Sequence, residues 1–212
     1  MVSMDDFIKR LAEPTATPGG GAASAAVAII ANSLVSMVAG LTNGKKGYEK
    51  SANVVVEILK AAASRQSDLE DLMRMDEDAF QEIVKAWKLP RDTPEHVEIR
   101  AKRLAEAAKK AIEVPWKIAA VASSILDDAL TLTKYGLKSA ITDSGCAGEF
   151  ARSAAFGVIQ NIRINLLSIQ DNDYVAEQIM KIHFFTEDIE ERYSAINNEI
   201  ESYLSRQRSK NA

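Results

Sequence analysis

The run PGGGAASAAVAIIANSLVSMVAGLTNGKKGY, residues 18–48, decides how the rest of the chain must fold. Three glycines, Gly19 to Gly21, are costly in conformational entropy. They belong where a backbone turns tightly or lets something approach closely. About twenty small or apolar residues follow, a helix with little side-chain bulk that neighbouring helices can approach closely. Asn43-Gly44 and Gly47 then break it in a basic turn holding Lys45 and Lys46. The stretch predicts a central helix from about Gly20 to Leu41, wrapped by other helices.

Working outward, the flanking sequence supplies those helices. Ser3 is placed to cap a short helix to about Ala12, with Asp5 and Asp6 in its positive first turn and Phe7, Ile8 and Leu11 on its apolar face. Pro14 and Pro18 bracket an extended loop. From Tyr48 to Lys88 the apolar residues recur at helical spacing, with Val55, Leu59, Leu69, Leu72, Phe80, Ile83, Val84 and Trp87 as expected buried positions. Thr93-Pro94-Glu95 is a helix start, and that helix runs to Tyr135 with Pro115 expected to kink or interrupt it. Gly136 stops it. Another helix opens near Thr142 and ends near Ile169. Asp171 or Asp173 caps the last, whose stripe is Ile179, Ile182, Phe185, Ile189, Tyr193 and Ile196. The polar tail after Leu204 is expected to fray. No strand pattern and no repeat emerge. The reading is all-α: one domain, residues 1–212, a bundle of five or six long helices, several long enough to suggest burial shared with a second copy.

Composition narrows the function classes. The chain has 212 residues, 47% hydrophobic and 26% charged, with a net charge of −4. No basic field draws it to nucleic acid. The single cysteine, Cys146, excludes an internal disulfide and suits a reducing compartment. His96 and His183 have no ligand-type neighbours at metal spacing, so no metal is expected. Gly21 to Leu41 is long enough to span a bilayer, but its alanines, serines and Asn32 favour a buried helix. The N-terminus lacks the pattern of a secretory signal, and a cytoplasmic location is expected.

Candidate chemistry gathers in three places. The glycine-rich helix start offers free N–H groups and a positive dipole end, while Lys45 and Lys46 place cations near the other end. The glycines can equally serve packing alone, and the lysines solvation alone. Neither segment is a nucleotide loop: Gly40 to Lys46 has the wrong glycine spacing and no preceding strand, and Gly19 to Gly21 sits in no strand–turn–helix unit. Asn161 and Asn165 are four apart on one helix face, and Asp143 shares that face five turns earlier. Such a polar set is either a satisfied helix–helix network or a substrate-orienting one. Asp76, Glu77 and Asp78 are either a solvated acidic face or the source of a desolvated general acid.

Taken in order, Pro18-Gly-Gly-Gly21, Leu41 to Tyr48, Asp76 with Ala79-Phe80, Ala111 to Pro115, Ser144 to Ala147, Ala154 to Gly157 and Asn161 to Asn165 resemble the cyclodeaminase/cyclohydrolase family of formiminotransferase-cyclodeaminases. The resemblance runs from about residue 5 to 205. It implies a helical homodimer or higher assembly and a tetrahydrofolate substrate with no separate cofactor. It implies conversion of 5-formiminotetrahydrofolate to 5,10-methenyltetrahydrofolate and ammonia, a step of histidine degradation, or the related methenyltetrahydrofolate cyclohydrolase reaction. Nothing matches a transferase half, and Cys146 receives no role. Asp143 or Asp76 then becomes the acid/base. Asn161 and Asn165 orient the pterin or formimino group, Lys45 and Lys46 hold the glutamate tail or stabilise charge, Gly19, Gly20 and Gly21 admit folate to the backbone, and Tyr48 joins the substrate-binding set. A helical binding protein without turnover is the reading from a different class. At about 1.5 Å per residue, the helix from Gly20 to Leu41 is about 30 Å long, too long for both ends to line one compact pocket. A site completed by a second subunit would resolve that.

Overall fold

The computed structural model describes residues 3–211, all helices and connections, with no strand among them. Helix α1 spans Met4–Ala12, α2 Gly20–Thr42, α3 Ala52–Trp87, α4 Pro94–Tyr135, α5 Ile141–Leu166 and α6 Asn172–Asn211. Single 3-10 turns at Glu49–Ser51 and Lys138–Ala140 lead into α3 and α5. The starts follow the expected capping chemistry. The Asp6 and His96 N–H groups donate to the hydroxyls of Ser3 and Thr93, and the Tyr174 N–H donates to the Asp171 carboxylate at 3.1 Å.

Helix α2 is the axis, packed against α3, α4 and α5, while α6 closes over α4 and α5. Ala25, Ala28, Ala31, Val35, Val38 and Ala39 lose all accessible surface. Their small side chains let Ile118, Ile125, Leu126 and Leu132 of α4 and Val158 of α5 reach the centre. Each fully buried Leu or Ile contributes roughly 1.5–3 kcal/mol of hydrophobic stabilisation. Gly20–Thr42 is the one helix among the described residues long and apolar enough to cross a membrane. Its inner face is nevertheless spent on the bundle core.

Polar contacts fix the register of this packing. The Asn32 amide donates to the Ala62 carbonyl at 2.8 Å, and the Arg65 Nε donates to Asn32 Oδ1 at 3.1 Å. The Arg65 guanidinium also pairs with Asp128 of α4, so one buried cation ties α2, α3 and α4 together. Desolvation outweighs that partner and holds the Asp128 carboxyl above its ordinary value. Helix α5 runs antiparallel to α2. Gly20 and Ser24 of α2 lie against Asn161 and Gly157 of α5. At the opposite end the Leu137 N–H donates to the Thr42 hydroxyl and the Lys138 N–H to the Tyr48 hydroxyl.

Three expectations are corrected. Helix α4 is not interrupted at Pro115, which sits buried inside a continuous element. Neighbouring helices supply the packing that outweighs one missing hydrogen bond. The tail after Leu204 continues as helix to Asn211. Trp87 and Ile179, expected inside, are 48% and 56% exposed, and the α1 side chain Ile8 is 56% exposed, because these helices overhang the shared core.

Candidate active site

The loop from Glu13 to Gly19 folds over the start of α2 and roofs a cavity of about 180 Å³. Its polar lining comes from three helices: the Gly19–Gly21 backbone of α2, Asp76 of α3, and Asn161 and Asn165 of α5. Phe80, Ile83 and Ile164 supply apolar walls. Phe7 of α1 packs on Ala22 and Ala26 beneath the loop, and Arg10 pairs with Glu77 at 2.5 Å, anchoring α1 to α3 beside Asp76.

Asp76 is the chemical centre. The Ala22 N–H, in the first turn of α2, donates to its Oδ2 at 3.0 Å. A carboxylate at a helix N-terminus is favoured by the dipole. Burial nevertheless dominates and raises the Asp76 carboxyl above its ordinary value; the Ala22 hydrogen bond works against this and the charge of Glu77 adds to it. The absence of a side chain at Gly21 permits this geometry: a Cβ there would overlap the whole Asp76 carboxyl group. A carboxyl whose burial raises its pKa is equipped to give and recover a proton.

Two amides face this acid. Asn161 Nδ2 is buried without a hydrogen-bond partner. Orphaned donors of this kind are rare in folded proteins and call for an explanation such as an absent ligand. Asn165 Nδ2 donates to the Ala111 carbonyl at 3.5 Å. That carbonyl would ordinarily accept from the N–H four residues on, but position 115 is proline and has none. Pro115 thus releases an acceptor at the cavity wall, where Ala111 lies. The sequence reading takes Pro115 as a kink or interruption and Ala111 to Pro115 as part of the family pattern, and gives neither a role in the site. The available signal was a proline inside an otherwise uninterrupted helical pattern.

The remaining candidates lie elsewhere. Lys45 and Lys46 are exposed in the turn after α2, and Tyr48 accepts from Lys138 at that same end. Asp143 is half-buried in the first turn of α5, on the expected face but about 27 Å along the axis from Asn161 at ~1.5 Å per residue. One subunit therefore brings together Gly19, Gly20, Gly21, Asp76, Asn161 and Asn165. It leaves Lys45, Lys46, Tyr48 and Asp143 at the far end of the bundle. A larger groove of about 460 Å³ lies between α4 and α6, lined by Trp116, Lys181, Phe184 and Phe185. It has no orphaned buried donor, and its acid, Asp188, is already paired with Arg192. Among the described residues no group of acids, histidines and cysteine is arranged to hold a metal.

Known proteins share this chain's sequence pattern and fold. The solved structure of formiminotetrahydrofolate cyclodeaminase from Thermotoga maritima superposes with a TM-score of 0.86 at 27% identity, covering 96% of this chain and 98% of that one. A methenyltetrahydrofolate cyclohydrolase from Methylorubrum extorquens is 29% identical over 85% of this chain and 86% of its own length. The mouse formimidoyltransferase-cyclodeaminase is 30% identical over 80% of the chain, which spans only 31% of that longer protein. The family model described as Formiminotransferase-cyclodeaminase matches residues 3–183, a range that holds every α1–α5 residue of the cavity; the chain belongs to that family.

Proposed function

We propose that this protein is a folate enzyme that closes the one-carbon bridge of 5-formiminotetrahydrofolate, giving 5,10-methenyltetrahydrofolate and ammonia. The observation that carries the reading is the pairing of a desolvated Asp76 with the unpartnered amide of Asn161 in one cavity. In the reaction N10 attacks the formimino carbon, the N10–C bond forms, and the bond from that carbon to the terminal nitrogen breaks. With the formimino group held as its amidinium, –CH=NH2+, that nitrogen already carries two hydrogens and needs one more proton to leave as ammonia, while N10 loses one and the positive charge passes to the methenyl bridge. Asp76 gives its proton to the departing nitrogen and is reprotonated by the one released at N10. Asn161 and Asn165 orient the pterin, and the Gly19–Gly21 backbone admits it closely.

The cyclohydrolase reading is kept as the second because the relative of that name matches this chain over nearly its whole length. There Asp76 would take a proton from the water that adds to the methenyl carbon. Incubation with each folate separates the two, the methenyl absorbance rising in the first reaction and falling in the second. Asp76→Asn is expected to lower turnover roughly 10²–10⁴-fold, the range of a positioned acid/base. Turnover near wild type in that variant removes Asp76 from its role and leaves Asp143 as the remaining carboxylate candidate.

A further inference from the structure

Asp76 and Glu77 are adjacent on α3 and turn to different neighbours. Asp76 meets the start of α2, where the Ala22 N–H donates to it, and lines the cavity. Glu77 meets α1, where the Arg10 guanidinium donates to it at 2.5 Å. Gln81 stands one turn beyond Glu77 on the same face, and its amide donates to the Thr17 hydroxyl of the roof loop at 3.4 Å. One face of α3 thus serves the cavity, and the next holds α1 and the roof.

Helix α1 is lightly held. Phe7 is its one buried side chain, set on Ala22, Ala26 and Met73, while Met4, Ile8 and Leu11 are exposed. Among the described residues, the Arg10–Glu77 pair is the only hydrogen bond or ion pair that ties α1 to the bundle. A strap for the roof is the simplest role for Arg10. The charges around Asp76 point to a second one.

Helix α2 carries no acidic or basic residue, and α4 and α5 line the cavity only with Ala111, Asn161, Ile164 and Asn165. Lys110 of α4 acts instead on Glu82, and Arg163 of α5 is exposed outside the lining. Asp5, Asp6 and Lys9 of α1, Glu13 of the roof loop and Asp78 of α3 are exposed to water, which screens them. Glu77 is different: it is one residue from Asp76, its side chain is only 24% exposed, and its charge disfavours the ionised Asp76. A general acid must release its proton as well as hold it, so an uncompensated Glu77 works against turnover. We infer that Arg10 is a positioning residue for the proton-transfer step: from α1 it holds Glu77 away from the cavity and offsets its charge beside Asp76. The inference deepens the reading of Asp76 as the acid and rests on it.

Breaking the pair from its two sides separates the roles. Arg10→Gln and Glu77→Gln remove the same ion pair, so a strap alone makes the two variants alike. Charge makes them opposite. Arg10→Gln leaves Glu77 bare, and the basic limb of the cyclodeaminase pH–rate profile is expected to move to higher pH. Glu77→Gln leaves Arg10 bare, and the limb is expected to move to lower pH. Arg10→Lys keeps the charge and holds the limb near its wild-type position. The double variant Arg10→Gln with Glu77→Gln removes both charges and returns it there. The pair is partly open to water, so these variants are expected to fold, which thermal unfolding checks. Limbs that move in the same direction in the two single variants, or that do not move, overturn the inference.

The carboxyl can also be followed without substrate. Aspartate labelled with an NMR-active carbon at Cγ gives one signal that is lost in Asp76→Asn, and that signal is titrated in each variant. Its midpoint is expected at higher pH in Arg10→Gln and at lower pH in Glu77→Gln than in wild type. Midpoints that coincide with wild type in both overturn the role of Arg10, whatever the activity. If the wild-type protein turns over neither folate while the midpoints still separate, the folate reading is refuted and the action of Arg10 on Asp76 through Glu77 is upheld.

Discussion

Gly21→Ala separates the role of the α2 N-terminus in catalysis from its role in folding. In an ordinary helix position this change stabilises by about 0.5–1 kcal/mol, because alanine loses less backbone entropy on folding. Here the new methyl would lie within 3.0 Å of all three atoms of the Asp76 carboxyl group. The obstacle is the end of a side chain, so the structure yields by swinging Asp76 aside by on the order of 1 Å, enough to cost about 10²-fold in rate. The carboxylate then loses the Ala22 N–H, a charge-assisted hydrogen bond worth about 1.5–3 kcal/mol. That loss is set against the alanine gain and against the larger desolvation cost that Asp76 sheds on moving towards water, so Tm is expected to hold or rise while turnover falls. Burial is the largest cause of the raised Asp76 carboxyl, so moving it towards water lowers its pKa and shifts the basic limb of the pH–rate profile to lower pH. The assay pairs thermal unfolding with methenyl-folate absorbance across pH. Turnover within about threefold of wild type on a folded Gly21→Ala protein would refute the claim that Asp76 must sit on the helix start.

Other perturbations follow from the same contacts. Asp76→Asn keeps an acceptor for Ala22 but removes the buried charge. Because the folded-state pKa is raised, the native state holds its proton more tightly than the unfolded chain, and the carboxylate costs stability increasingly as pH rises from 3.8 through that raised value. The Tm advantage of Asp76→Asn over wild type should therefore grow with pH across that window, and a constant difference in calorimetry contradicts the sign. Asn161→Ala should raise KM with little loss of stability, since its Nδ2 has no intramolecular partner to lose, whereas a Tm loss as large as that of Asn32→Ala would make it a structural residue. Arg65→Met strands Asp128 in the core and should destabilise by about 3–5 kcal/mol in denaturant unfolding. A cost below about 1 kcal/mol would place that pair among ordinary surface salt bridges. Pro115→Ala restores an N–H to the Ala111 carbonyl and should weaken the hold on Asn165, raising KM while thermal stability is kept or increased. An unchanged KM would show that the released carbonyl has no part in the site.

The helices were legible because their signals are local. Thr93-Pro94, Ser3 and Asp171 cap where capping chemistry places them, and the residue pattern of α2 specifies a core helix before any partner is known. What periodicity cannot convey is distance along an axis. Asp143 and Asn161 share a helix face by angle and still stand five turns apart, so a face in sequence is not a site in space. Trp87 and Ile179 fit their stripes yet emerge into solvent, because a stripe tells which side of a helix is apolar and not how far the neighbouring helix extends. The length of α2 is the informative exception. Its two ends carry the glycine and lysine motifs, and a rigid rod of that length forbids both from serving one cavity in one chain. The cavity takes the glycine set, while Lys45 and Lys46 stand exposed at the other end of the rod.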